Sequence, residues 1–377
     1  MRVGLILFNR ISRSGRAAEK KVAARYQEEM EMNLDKRQFL AGSAAFAGAS
    51  MTWSVKAFGS TAELKASHSV NTTIYAPHMV AKAKGFAAEE GLDLQLTEAL
   101  GGSKVRKLIA AEQVGYALGD SSHPLQLTNR GKPTKILLAT DNRCSYANIV
   151  VRKELADKGI DSVEKLAEFK REGGGKPVIA ATGIGSGTWV YGTYVLESFG
   201  VNDKFNWVAG GGSKTILGGL KAGKFDAIMA VPAWQFRAMD EGYGAPLYDI
   251  ANKDAWDKVF GGKIPASVVY VLEETVNANP ELAQSYVSAM YKAMQWLGSS
   301  SEEEIYKVVG PLMPRFDEAL VKREIAYYKQ IWQFDATFPK EDFGNGAKVW
   351  FRAKTKIKPL DYEAVADMSF LEKAQKA

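Results

Sequence analysis

From Glu63 onward the hydrophobic positions fall into short runs that alternate with helical stretches. Leu92-Asp93-Leu94-Gln95-Leu96 alternates apolar with polar residues, the period of a strand with one buried face. Leu64–Val70, Val114–Leu118, Lys135–Ala139, Asn148–Val151, Val178–Ala181, Asn206–Val208 and Asp226–Val231 are short apolar runs that read as further strands. Between them the spacing predicts helices over Pro77–Glu90, Lys104–Glu112, Leu125–Arg130, Ser162–Lys170, Thr188–Phe199 and Lys214–Lys221. Glu172–Pro177 has the composition of a loop. Beyond Pro280 the pattern turns helical throughout, over Glu281–Leu297, Glu302–Val309, Phe316–Phe334 and Tyr362–Ala374. Strands and helices alternating at this spacing imply parallel sheets, so the expected architecture is α/β followed by a helical tail.

A degenerate repeat runs through the α/β part. Gly101-Gly102-Ser103-Lys104 is echoed by Gly211-Gly212-Ser213-Lys214, and each copy leads into a helix, a small residue and a strand. Two α/β lobes of like build account for it. Three segments then carry a family resemblance. Lys84-Gly85-Phe86-Ala87-Ala88-Glu89-Glu90-Gly91-Leu92-Asp93-Leu94, the turn Leu220-Lys221-Ala222-Gly223-Lys224-Phe225-Asp226-Ala227, and the loop Gly183-Ile184-Gly185-Ser186-Gly187-Thr188 occur in that order. Together they resemble the nitrate/sulfonate/taurine-type solute-binding proteins of ABC importers, in the type 2 periplasmic-binding-protein superfamily. Two positions depart from that pattern: Glu112 stands where the first-lobe turn usually has Gly, and Gly115 where it usually has Asp.

The resemblance implies a two-lobed fold, each lobe a mostly parallel sheet flanked by helices, with the lobes closing on a ligand like a hinge. It places the first part of lobe one at residues 60–147, lobe two at 148–255, and the return to lobe one plus the tail at 256–377. Crossings are expected near Asn142–Arg152 and Tyr248–Val268. It also implies a monomer that takes a small solute to a membrane permease and its ATPase, with no cofactor. Two other readings share the fold: a thiamine-pyrimidine-synthase-like enzyme, and a ligand-sensing partner of a membrane receptor.

Charge changes the picture at the N-terminus. Of 49 Lys+Arg and 43 Asp+Glu, ten and five lie in residues 1–59, which leaves 39 and 38 for the rest. The body therefore has no excess of positive charge for phosphate backbones, and nucleic-acid binding is not expected. Lys36-Arg37-Gln38-Phe39-Leu40, the Ala/Gly-rich stretch to Met51 and Ala57-Phe58-Gly59 follow the order basic, apolar, small of an export signal. The signal, residues 32–59, resembles a twin-arginine type with Lys36 in place of the first Arg, which leaves both export routes open. Residues 1–31 read as an over-extended start, with Met30 or Met32 as the first residue. A periplasmic protein with a mature start close to Ser60 is expected. No run of about 18 apolar residues appears, so no transmembrane helix is predicted. With one cysteine, Cys144, and three histidines, His68, His78 and His123, a disulfide or a His-based metal site is not expected.

In open α/β sheets ligands bind beyond the carboxyl ends of strands, where loops start helices. Four loops qualify. Thr72–His78 carries Tyr75, which can face a ligand or pack on its own lobe. Gly119–Pro124 carries Asp120, read as a helix cap, with Ser121 and Ser122 able to cap or to meet a ligand, and His123, read as structural. Thr182–Thr188 supplies close backbone approach at Gly185 and Gly187 and hydroxyls at Ser186 and Thr188. It is not a dinucleotide fingerprint, because Thr188 occupies the third glycine and no acid ends the next strand. Gly210–Thr215, with Gly212 and Ser213, is not a P-loop, because Ser213 occupies the required glycine. Trp189 and Trp234 sit beside these loops and can stack on an organic ligand. No Ser/His/Asp or Glu/His pattern stands out, so no catalytic residue is assigned. Cys144 reads as a small buried hydrophobe.

Overall fold

The computed structural model describes residues 61–377, so the export signal and the start codon lie outside the described residues. The strand signals of the first half resolve into β1 (Ala62–His68), β2 (Leu92–Glu98), β3 (Tyr116–Asp120) and β4 (Thr134–Ala139). In β2 the period of two is literal: Leu92 and Leu94 are buried while Asp93 and Gln95 are exposed. β3 is buried along its whole length, as suits a strand covered on both faces. A second set follows: β5 (Asn148–Arg152), β6 (Val178–Ala181), β7 (Asn206–Ala209), β8 (Ala227–Ala230) and β9 (Gly244–Tyr248), before β10 (Ser267–Leu272).

These strands form two five-stranded sheets, ordered β2-β1-β3-β10-β4 and β7-β6-β8-β5-β9. β1 pairs in parallel with β2 and β3, and β6 with β7 and β8. Each sheet is mostly parallel, as expected, with one strand reversed: β10 runs antiparallel to β3 and β4, and β5 antiparallel to β8 and β9. The reason is topological. β5 arrives from the first sheet and β10 returns to it, so each enters its new sheet from the opposite end. Each occupies the fourth place in its order, and the two lobes are therefore the same sheet built twice.

The chain crosses between lobes at residues 140–147 and 249–266. The crossings are tied together: the Asp141 carboxylate accepts the backbone N–H groups of Ala266 and Ser267 at 2.7 and 2.9 Å. The tail joins them, since Asn142 N–H donates to the Ile331 carbonyl at 2.8 Å.

The tail is helical, with Pro280–Ser299, Glu302–Val309, Glu318–Tyr328, Lys340–Trp350 and Ser369–Lys376 as its main elements. Ser301 and Glu304 form the reciprocal cap that starts the second of these. The helical signal over Tyr362–Ala374 is broken in the fold, because Ala366 and Asp367 leave the helix to meet Ile136 at the edge of β4. Glu318–Tyr328 packs against Pro232–Asp240 of the second lobe and against the Thr73–Tyr75 turn of the first. Among the described residues no helix is long and apolar enough to cross a membrane.

Candidate functional site

β1, β2 and β3 end in loops at residues 69–75, 99–104 and 121–123, and β6, β7 and β8 end in loops at 182–188, 210–212 and 231–234. All six reach one cavity of about 330 Å³ between the sheets. Most of them run straight into a helix: Ala76–Ala83, Gly102–Ala110, Gly187–Ser198, Ser213–Lys221 and Pro232–Asp240 all begin here. The first N–H groups of a helix have no partner inside it, so this wall favours anionic and strongly polar groups. Neither Gly102–Ala110 nor Ser213–Lys221 has an acid in its first turn; each carries a lysine there instead, Lys104 and Lys214.

Of the residues expected at the site, Tyr75, Ser186, Gly187, Thr188, Gly212 and Trp234 line this cavity. Ser213 lines an adjoining outer chamber of about 640 Å³, whose wall also includes Lys214, Arg237 and Arg315. Trp234 borders both chambers, yet it is only 5% exposed and packs with the Ile216, Leu217 and Leu220 core of the second lobe. Ser121, Ser122, Gly185 and Trp189 are not in the cavity wall. Ser122 is fully buried and gives both its N–H, at 2.8 Å, and its hydroxyl to the same oxygen of Asp120. Ser121 is buried and its hydroxyl has no partner among the described residues. Trp189 lies half-buried against the hydrophobic core. Gly185, at φ +78°, turns the loop in open space.

The Gly-Ser-Gly-Thr loop is ordered by its own hydroxyls. Ser186 Oγ accepts from Trp189 N–H at 3.4 Å and donates to the Gly183 carbonyl at 2.7 Å. Thr188 Oγ1 accepts from Thr182 N–H at 3.0 Å and meets the Ser186 and Thr182 hydroxyls, each at 2.8 Å. With the hydroxyls so committed, the backbone N–H groups of the first turn are what the loop presents.

Sequence reasoning passed over three groups in the wall. Asp120, read as a cap, does hold Ser122 N–H, but it also accepts from the Tyr146 hydroxyl and borders the cavity. Burial pushes its carboxyl above the usual range, opposed by the hydrogen bonds from Ser122 and Tyr146. Tyr146 comes from the first crossing, where no local pattern marks it. Lys104 lies in the repeated Gly-Gly-Ser-Lys segment, and that repeat was the available signal. Behind the wall His68 stacks on Tyr75, with ring centroids 5.1 Å apart and planes at 16°. His123 borders the cavity and meets the Tyr270 hydroxyl at 3.1 Å; burial holds its pKa well below the ordinary value, so the ring is neutral. Cys144 is buried outside the wall, its thiol pushed well up by burial. Among the described residues no cluster of His, Cys, Asp or Glu could hold a metal ion.

The lobes touch across this cavity. A β-carbon built on Gly187 would fall 2.2 Å from Asp120 Oδ2, so the second-lobe helix start lies directly against the first-lobe carboxylate. Two like-built sheets meeting at the helix-starting ends of their strands define the periplasmic-binding-protein fold. Residues 69–309 match the NMT1-like family, well over half of the chain, and the chain belongs to that family. Solved structures agree on the fold. A protein of Bordetella bronchiseptica RB50 superposes with a TM-score of 0.72 at 21% identity, covering 84% of this chain and 97% of that one. The periplasmic nitrate-binding protein NrtA from Synechocystis PCC 6803 gives 0.67 at 15% identity, covering 84% and 89%. The alkanesulfonate-binding protein SsuA from Xanthomonas axonopodis pv. citri, bound to MOPS, gives 0.64 at 15% identity, covering 82% and 100%.

Proposed function

We propose that this protein is an exported, monomeric solute-binding protein of an ABC importer. In this reading it captures a small organic acid or similarly polar solute between its lobes and delivers it to a membrane permease. The observation that carries the proposal is one cavity walled by three strand-end loops from each of two sheets. A ligand held there touches both lobes, and only such a ligand favours the closed state over the open one. Converging helix starts and Lys104 suit an anionic group, while Ile74, Tyr75 and Trp234 offer apolar and aromatic surface to an organic body. Solved structures of the same fold named for nitrate and alkanesulfonate binding support a small anion as the solute.

An enzyme on this fold would need a nucleophile or a free acid-base pair at the cavity. Cys144 is buried outside the wall, His123 is turned to Tyr270, and Asp120 is engaged by Ser122 and Tyr146. This arrangement favours binding over turnover. A thermal-shift screen with organic acids and other small solutes tests it. A solute at about 100 times its Kd should stabilise the protein by about 2.7 kcal/mol. A solute that is consumed on incubation would overturn the reading in favour of an enzyme. Sequencing the N-terminus of the exported protein should place it within a few residues of Ser60; an intact N-terminus on cytoplasmic protein would remove the export step.

A further inference from the structure

Behind the cavity a second carboxylate joins the two lobes. Glu324 projects from the tail helix Glu318–Tyr328 and is fully buried. Its Oε2 accepts from the Thr73 hydroxyl at 2.9 Å, and its Oε1 accepts from the Ala233 backbone N–H at 2.9 Å. Thr73 stands two residues before Tyr75 in the first-lobe wall. Ala233 stands one before Trp234, in the first turn of the second-lobe helix Pro232–Asp240. Each oxygen is thus held by a different lobe, and separating the lobes must break at least one of the two bonds.

Among the described residues no cation faces this carboxylate. On its own helix Lys322 reaches Glu303 and Glu318 at 2.7 and 2.6 Å, and Arg323 reaches Asp240 at 3.1 Å. On the second-lobe helix Arg237 pairs with Glu241 at 2.7 Å. On the packed helix Glu302–Val309, Lys307 pairs with Glu303 at 3.8 Å. The titratable neighbour is Tyr328, one turn on, whose hydroxyl donates to Ser145 Oγ at 3.0 Å. A bare buried carboxylate with two donors and no counter-ion is costly, and taking up a proton removes that cost.

We propose that closing the cleft moves a proton from solvent onto Glu324, so that closure and solute capture are proton-coupled. The protonated oxygen then donates to Thr73 Oγ1, which turns from donor to acceptor, while the other oxygen keeps the Ala233 N–H. One proton is taken up and both hydrogen bonds survive in number. Burial pushes the Glu324 carboxyl up to about 7, against the opposing hydrogen bonds from Thr73 and Ala233. Opening the cleft admits water and returns it towards the ordinary glutamate value of about 4.3. The sign follows. The closed state gains on the open one as pH falls through about 7, and the gain is complete near the open-state value. Within that window affinity for a captured solute rises by up to about tenfold for each pH unit lowered, the limit for one proton.

The inference rests on the hinge movement of the proposed function but not on the identity of its solute, so the test uses the protein alone. Small-angle scattering should show the wild type becoming more compact between about pH 8 and about pH 5.5. Glu324→Gln, neutral at every pH, should be compact at both and lose the response. Thr73→Val, which keeps the acid but removes a first-lobe partner, should shift the balance towards the open form at both. A wild type with no pH response, or a Glu324→Gln variant that responds as the wild type does, would overturn the proposal. Should Glu324→Gln fail to fold, carbon-13 titration of the wild-type Glu side chains decides: all of them titrating near the ordinary value excludes a raised Glu324. A thermal-shift screen that finds no solute would count against the binding role and leave this result standing.

Discussion

Gly187 shows how much one missing side chain carries. The β-carbon of an alanine there would meet Asp120 Oδ2 at 2.2 Å and Cγ at 2.7 Å, both in the opposite lobe. Gly192, one and a half turns along the same helix, is equally crowded, but by Met229 and Trp207 of its own lobe at 2.6 Å. Overpacking of this kind costs about 1–3 kcal/mol, and the two glycines should charge it to different equilibria. Gly187→Ala should leave the melting of the open protein nearly unchanged and weaken solute binding by roughly 5- to 150-fold, the same cost expressed as affinity. Gly192→Ala should lower the melting temperature instead. Calorimetric titration and melting of both variants check this, and a Gly187→Ala protein that binds normally would show that the cleft does not close on Asp120. Gly187 was legible as a close-approach position because a Gly-Ser-Gly-Thr loop before a helix asks for bare backbone. Its partner was not, since Asp120 caps its own helix in sequence and meets the second lobe only in three dimensions. Trp234 falls between: its place after a strand end was readable, while its share in the second-lobe core depends on neighbours contributed by the helix Ser213–Lys221.

At the scale of elements, the strand–helix alternation was readable because each amphipathic segment carries its own period. Strand direction was not, because β5 looks like any short apolar run, and β10 was not read as a strand at all. Ser267–Leu272 is buried at every position and so has no alternation to read. The repeat Gly-Gly-Ser-Lys shows the opposite case, a local signal whose meaning appears only when both copies arrive at the cleft. Lysine at a helix start is unfavourable to the helix, because the dipole is positive there. Lys104 and Lys214 also make no ion pair among the described residues. Lys104→Glu should therefore raise helix stability by about 0.3–1 kcal/mol while weakening capture of an organic acid. Melting curves and titration with the acid found in the screen check both halves. For the wild type, association should slow as salt is raised, and the Lys104→Gln, Lys214→Gln double variant should lose much of that dependence. Unchanged affinity in Lys104→Glu would show that the bound anion does not use the cleft mouth.

Among the described residues three chain segments join the two lobes, and Asp141 is where they are fastened. Its Oδ1 accepts two N–H groups from the far end of the second crossing, its backbone bridges Trp332 of the tail, and its Oδ2 is buried without a partner among the described residues. Burial pushes this carboxyl up to about 8, aided by the charge of Asp120 and opposed by the hydrogen bonds from Ser267 and Ala266. The folded pKa thus lies above the unfolded one, so the folded state holds a proton that the unfolded chain releases. That contribution to stability is full below the unfolded value of about 3.9 and is lost as pH rises through about 8. Wild-type melting should therefore fall between about pH 5 and about pH 8, with Glu324 adding to the slope below about 7. Asp141→Asn keeps an oxygen for the two N–H groups and removes the charge. Its advantage over the wild type should grow across the same interval and level off above about pH 8, when the wild-type acid is ionised in both states. Melting temperatures of the two proteins across that range settle the matter. A constant difference would mean that Asp141 is already ionised in the fold, with water or a mobile neighbour at Oδ2, and that the three segments are held by its hydrogen bonds alone.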